Sequence, residues 1–267
     1  MSALPPATLE GWYALHQIVS WDWALLRGES GPSRARLAEA ATALLTELAS
    51  PAAGWSAAFQ LVGGGGADFM LVHFRETPDE LGEVQLRLRH SEIGPFYHVD
   101  YDYFSVTEAG MYHPTSEAAK QAEPGSDAFR KLLDDALAAE RESPHVRTRL
   151  YPSIPEDMPY VSFYPMTKRR VHPDNWYTLP IEERNRLMRE HGMTGRRFAR
   201  RIFQVITGSV GFAAWEWGVT LFARDPLDIK RVVTEMRYDE ASSRYGEFGD
   251  FYAGVRITPE QWGAMIG

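Results

Sequence analysis

The stretch WSAAFQLVGGGGADFMLVHFRETPDELGEVQLRLR, residues 55–89, decides how this chain folds. Trp55 to Val62 reads as a strand, Gly63 to Gly66 as a hairpin loop, and Phe69 to Phe74 as the partner strand. Thr77-Pro78 then supplies a capping hydroxyl followed by a proline suited to a first helical turn, which predicts a helix over Asp79 to Arg89. Before this block, Trp12 to Trp23 reads as a strand, and Pro32-Ser33 opens an Ala/Leu-rich helix ending near Ala49. After it, Tyr97, Val99, Tyr101 and Tyr103 alternate with His98, Asp100 and Asp102, the period of a half-buried strand over Tyr97 to Val106. The order is β-α-β-β-α-β.

A polar stretch, Met111 to Ser126, reads as a linker, and Asp127 to about Glu142 as a helix. The order of elements then recurs. A strand at Tyr160 to Pro165 precedes helices at Ile181 to Glu190 and Thr194 to Ile206; a strand at Trp217 to Phe222, a helix at Pro226 to Thr234 and a closing strand at Phe248 to Val255 follow. Each half matches a ferredoxin-like unit. The expected fold class is α+β: two such units, residues 1–142 with the linker and residues 143–267, joining their sheets as a dimeric α+β barrel within one chain.

Composition narrows the function. The 267 residues are 44% hydrophobic and 24% charged, enough for a sizeable core. With no cysteine there is no thiolate nucleophile and no Fe–S cluster, so a metal would rest on His, carboxylate, Tyr or Met. The net charge of −8 argues against general nucleic-acid affinity. Positive charge is concentrated at Lys168-Arg169-Arg170 and in Arg196, Arg197, Arg200 and Arg201, which reads either as solvated surface or as a pocket for a small polyanion. The N-terminus from Met1 to Pro6 has no basic leader, and no run approaches ~18 apolar residues, so neither export nor a membrane span is expected and the compartment is cytoplasmic.

None of the eight histidines falls in a paired metal-ligand spacing. His191 follows the predicted helix Ile181 to Glu190 and precedes Gly192, read as a helix stop; it is either a His stabilised by the helix dipole or a ligand looking into a cavity. A porphyrin iron needs only one axial imidazole. Tyr164 and Lys168 are placed at a strand end and in the turn beyond, with Pro165 ending regular pairing. They read either as a packed Tyr and a solvated Lys, or as a redox-active phenol beside a carboxylate-binding cation. Gly63 to Gly66 lacks the Lys-Ser/Thr of a phosphate-binding loop.

Several segments resemble the coproheme decarboxylases of the chlorite dismutase-like family: Phe163 to Lys168, Asn175 to Pro180, Glu190 to Met193, Thr207 to Phe212, Glu216 to Phe222, Glu235 to Glu240 and Tyr245 to Gly249. The match is dense from about 160 to 255 and looser before 150. The resemblance implies a pair of ferredoxin-like units, often assembled as a homopentamer, with iron porphyrin held in the C-terminal unit. It implies that His191 is the proximal iron ligand, Tyr164 the redox-active tyrosine and Lys168 its companion at the reacting propionate. Gln204 falls on a neutral distal amide where chlorite dismutases proper carry arginine, and Arg149 and Ser242 fall on propionate-holding positions. Trp215 lies near the pocket in the same pattern.

The implied substrate is iron coproporphyrin III, also called coproheme, with hydrogen peroxide as oxidant and haem b as product. A coproporphyrin ferrochelatase would be a transient partner. The alternatives are a chlorite dismutase-like peroxidase and a non-catalytic haem carrier.

Overall fold

The computed structural model describes residues 3–267; Met1 and Ser2, part of the N-terminal stretch read above, lie outside them. The elements in chain order are β1 (Ala7–Trp21), α1 (Trp23–Gly28), α2 (Gly31–Ala49), β2 (Trp55–Leu61), β3 (Phe69–Arg75), α3 (Pro78–His90), β4 (Tyr97–Met111), α4 (Tyr112–Gln121), α5 (Asp127–Arg141) and α6 (Pro144–Leu150). There follow β5 (Tyr160–Lys168), α7 (Ile181–Arg196), β6 (Ile202–Gly208), β7 (Trp217–Ala223), α8 (Pro226–Met236), α9 (Glu240–Ser243), β8 (Gly246–Phe248), β9 (Tyr252–Ile257) and α10 (Pro259–Ala264). The cap read at Thr77 is a full capping box with Glu80, and Ser30 caps α2 through the Ser33 N–H.

The strands lie in the order β7-β6-β4-β1-β3-β2-β9-β5-β8, and β5 also pairs with β7, so the sheet closes on itself. Within the ring, β4-β1-β3-β2 and β9-β5-β7-β6 have the same internal order, and the halves join antiparallel at β4–β6 and β2–β9. Closure removes sheet edges and creates an interior. Ala14, Ile18, Phe59, Val72, Phe74, Tyr103, Phe163, Val205 and Phe222 fill it. His16 also lies there, bonded to Thr220 at 2.9 Å and stacked on Phe163 at 4.2 Å.

The outer faces of the two halves differ. On the first, α2, α3 and α10 seal the sheet with residues such as Trp21, Leu45, Phe69, Leu88 and Trp262, all nearly inaccessible. Helix α10 thus returns to the first half although it follows the last strand of the second. On the second half, α8 packs over β5 and β7 with α7 against its flank, but Met166, Ile202, Ile206, Ile229, Val233, Met236 and Phe248 stay only half-buried. This incompletely closed apolar face is where the candidate site lies.

Several local expectations are corrected. The Met111–Ser126 linker contains α4, and α6 was not anticipated. Residues 194–206 are not a separate helix: α7 continues through His191 and Gly192 to Arg196, the chain reverses at Arg200 (φ 73°), and β6 follows. Gly192 weakens a helix by only about 1 kcal/mol relative to Ala, and packing of α7 on α8 and α9 overrides it. The β-branched residues Ile202, Val205, Ile206 and Thr207 suit a strand bonded on both sides, to β7 and β4. Pro165 does not end its strand, because it sits where the neighbour of β5 changes from β9 to β8, so its missing N–H interrupts no continuous ladder. Lys168 is therefore the last residue of β5 and not part of a turn. The closing strand is two pieces, β8 and β9, and the first strand is shifted toward the N-terminus, with Trp23 opening α1.

Candidate functional site

Directly opposed residues in an antiparallel ladder share a face. Ser162, Leu221 and Gln204 form one row across β5, β7 and β6, and Tyr164, Val219 and Ile206 form the next. Tyr164 and Gln204 therefore project from the same outer face, followed along β5 by Met166 and Lys168.

Tyr164 is buried against Phe251, with stacked rings 4.3 Å apart, and near Phe248 at 6.0 Å. Burial pushes its phenol well above the ordinary tyrosine range, and Arg237 opposes this in part. The Arg237 guanidinium lies 3.7 Å from the Phe248 ring centroid. The Tyr164 hydroxyl is thus a neutral O–H in an apolar wall with one cation nearby.

Lys168 is buried, donates from Nζ to the Ala241 carbonyl at 2.7 Å, and stands 4.5 Å from the Trp176 ring centroid. Burial lowers its pKa to about 8, against the pull of Asp239. Asp239 caps α9 by accepting from the Ser242 N–H at 2.9 Å, and its other oxygen lies 2.8 Å from His191 Nδ1. Burial pushes its carboxyl up, but the hydrogen bond from His191 and that cap outweigh it, so Asp239 is held below the usual range. Short helix α9 thereby gathers Lys168, Ser242 and His191 around one turn of chain. With Nδ1 engaged, His191 keeps Nε2 available, the arrangement that orients an imidazole toward a metal.

Arg149 lies on α6, which buries Val146 and Leu150, and the charge of Arg196 at the end of α7 acts on it and on His145. Of this cationic corner, Arg149 and His145 belong to α6, whereas Arg196 shares α7 with His191. Most of the other basic residues noted in the sequence are paired: Arg169 with Asp174 and Glu247, Arg170 with Glu216, Arg197 with Glu235, and Arg201 with Asp228. They are largely compensated surface and not a polyanion pocket. Trp215 packs at the rim of the barrel interior.

Sequence reasoning overlooked Asp239, Arg237, Trp176 and Phe251. Asp239 had a readable signal, an Asp directly before the short polar run Glu240 to Ser243, which is an N-cap pattern. The other three depend on packing between segments distant in sequence. Elsewhere, a cavity of about 290 Å³ opens beside Tyr101, Tyr252 and Asp100. Its lining contains no His, Lys or Arg, so it lacks the groups that single out the α9 region. Among the described residues no cluster of His, Asp and Glu is arranged to hold a metal ion by itself, and no helix is long and apolar enough to cross a membrane.

The residues expected to hold an iron porphyrin suit one: a lone oriented imidazole, a half-open apolar face, and Lys168 and Arg237 at its edges. Comparison with known proteins agrees. The coproheme decarboxylase of Staphylococcus carnosus is 41% identical over 256 residues, covering 95% of this chain and 94% of that protein. A Natronomonas pharaonis protein named provisionally for haem binding is 39% identical over 98% of this chain, which spans 42% of that longer relative. A solved haem-binding protein of Thermus thermophilus superposes with a TM-score of 0.83 at 37% identity, covering 99% of both chains. Chlorite dismutase of Candidatus Nitrospira defluvii shares the fold at a TM-score of 0.73 and 15% identity, over 96% of this chain and 95% of that one. Residues 34–257 match the chlorite dismutase family model, and the chain belongs to that family.

Proposed function

We propose that this protein decarboxylates coproheme oxidatively, converting two propionates to vinyl groups and releasing haem b. The observation that carries the reading is the convergence of a buried neutral phenol at Tyr164, a buried cation at Lys168 and an imidazole at His191 held by Asp239 on one half-open apolar face. The 41% identity to a coproheme decarboxylase along nearly the whole chain supports it.

For each propionate the balance is R–CH2CH2–COO⁻ + H2O2 + H⁺ → R–CH=CH2 + CO2 + 2 H2O. Bound through His191 Nε2, the iron porphyrin supplies the peroxide-driven oxidising equivalents. Asp239 keeps the His191 proton on Nδ1 and fixes the ring plane. Because burial keeps Tyr164 protonated, its oxidation must remove a proton with the electron, which leaves a neutral phenoxyl able to take a hydrogen atom from the propionate β-carbon. Lys168 holds that propionate's carboxylate in place; loss of carbon dioxide and of a second electron completes the vinyl group. Gln204 presents a neutral amide on the same face, and Arg149, Arg237 and Ser242 hold the remaining carboxylates. We assign its work to the cytoplasm, as a homo-oligomer, on our reading a pentamer, that receives coproheme from a ferrochelatase.

The test is peroxide titration of the coproheme complex followed by mass spectrometry of the porphyrin. Loss of two carboxyl groups is expected from the native protein, while Tyr164→Phe should bind coproheme and leave it unchanged. Normal turnover by Tyr164→Phe would sink the assignment, and sustained oxygen release from chlorite by the native protein would favour the chlorite-degrading alternative.

A further inference from the structure

Glu216 lies in the loop before β7, on the opposite side of β5 from the site, and its side chain is almost completely buried. Its carboxylate accepts from the hydroxyls of Thr167 and Tyr177, from the Lys168 backbone N–H at 3.2 Å and from the Arg170 guanidinium at 2.7 Å. Its own N–H donates to the Met166 carbonyl at 3.0 Å. These donors belong to the last residues of β5 and to the loop that follows. The loop is closed on itself by the Trp176 N–H bonding the Arg169 carbonyl at 2.9 Å, and tied to the segment after α9 by the Arg169 N–H bonding the Tyr245 carbonyl at 2.8 Å. Trp176, the ring facing the Lys168 ammonium, is carried between these anchor points.

We propose that Glu216 is a positioning residue for Lys168: its carboxylate clamps the Lys168 backbone and the loop bearing Trp176, and so sets where the ammonium sits and how little water reaches it. The proposal rests on Lys168 orienting a substrate carboxylate. A lysine at a strand terminus followed by a long loop would otherwise move with that loop, and a shift of about 1 Å at an orienting group can cost on the order of a hundredfold in rate. A buried carboxylate with four partners supplies the rigidity.

The experiment uses the full chain in two states. In the porphyrin-free protein, acylation of Lys168 by acetic anhydride is followed by peptide mass spectrometry as a function of pH. The native midpoint should lie at about 8, and Glu216→Ala should move it toward the ordinary lysine value of about 10.4 as water enters. With coproheme and peroxide, Glu216→Ala should lower kcat on the order of ten- to a hundredfold with KM little changed. Tyr177→Phe, which removes one donor only, should shift both readouts in the same direction by less, and it carries the test if Glu216→Ala does not fold. A folded Glu216→Ala, or failing that a Tyr177→Phe, with the native labelling midpoint overturns the proposal. If the native protein forms no vinyl product, the coproheme reading falls, while the labelling midpoint still decides the role of Glu216.

Discussion

Replacing Lys168 by Met should make the porphyrin-free protein no less stable near neutrality, and the difference should change sign with rising pH. Burial lowers Lys168 from 10.5 to about 8, a drop of about 2.5, so keeping the charged form in the folded protein at pH 7 costs about 3.4 kcal/mol at about 1.36 kcal/mol per pKa unit. Met preserves much of the apolar stem but leaves the Ala241 carbonyl without its donor, a loss of about 1–3 kcal/mol. The net gain at pH 7 is therefore about 0–2 kcal/mol. The pH dependence is more decisive. Between pH 8 and 10.5 the unfolded chain still binds a proton that the folded native chain has released, so native stability rises with pH, while the Met variant lacks this term. The stability difference, variant minus native, should fall by about 2.5 kcal/mol between pH 7 and pH 10, from a small gain to a loss. Urea unfolding of both proteins at several pH values measures it. A difference that stays flat over that range would refute the burial argument, and with it the view that stability is given up here to keep a desolvated cation at the site.

Other consequences can be checked independently. Asp239→Asn can still cap α9 but offers His191 a neutral acceptor; iron-porphyrin affinity should fall about 10–100-fold with a changed absorption spectrum, and a native spectrum and affinity would contradict the orienting role. His191→Ala should remove imidazole ligation whether or not the propionates keep the porphyrin bound, and an unchanged spectrum would exclude it as ligand. His16 and His73 are buried and held neutral, each lowered to about 3 by desolvation, with Arg75 adding to the effect at His73. Since the unfolded chain takes up these protons below about pH 6.5, stability should fall by about 2 kcal/mol for each His between pH 7 and pH 5, seen as a lower urea midpoint. Gly218→Ala would place a Cβ 2.7 Å from the Tyr103 ring and 2.8 Å from Thr207 Oγ1 inside the barrel, so a loss of about 1–3 kcal/mol is expected; unchanged thermal stability would show that the interior yields more easily than its packing implies.

The sequence by itself determined the order of elements in the first half, because period-two alternation, a glycine hairpin and a Thr-Pro cap are local features that act within a few residues. It also singled out Tyr164, Lys168, His191 and Gln204, through resemblance and not through spacing. It failed locally where long-range contacts outweigh local preference. Gly192 reads as a stop, yet α7 continues because its flank is packed; residues 202–206 read as helical, yet become part of a strand because β4 and β7 are there to share its hydrogen bonds; Pro165 reads as a strand end, yet lies where two partner strands meet. Only the tertiary structure decided which face of β5 the tyrosine and lysine share, that α9 joins Lys168 to His191 through Asp239, and that Glu216 anchors the loop behind them. Burial, and therefore the altered proton affinities of Tyr164 and Lys168, arises from segments more than seventy residues apart coming into contact, and no local pattern encodes it.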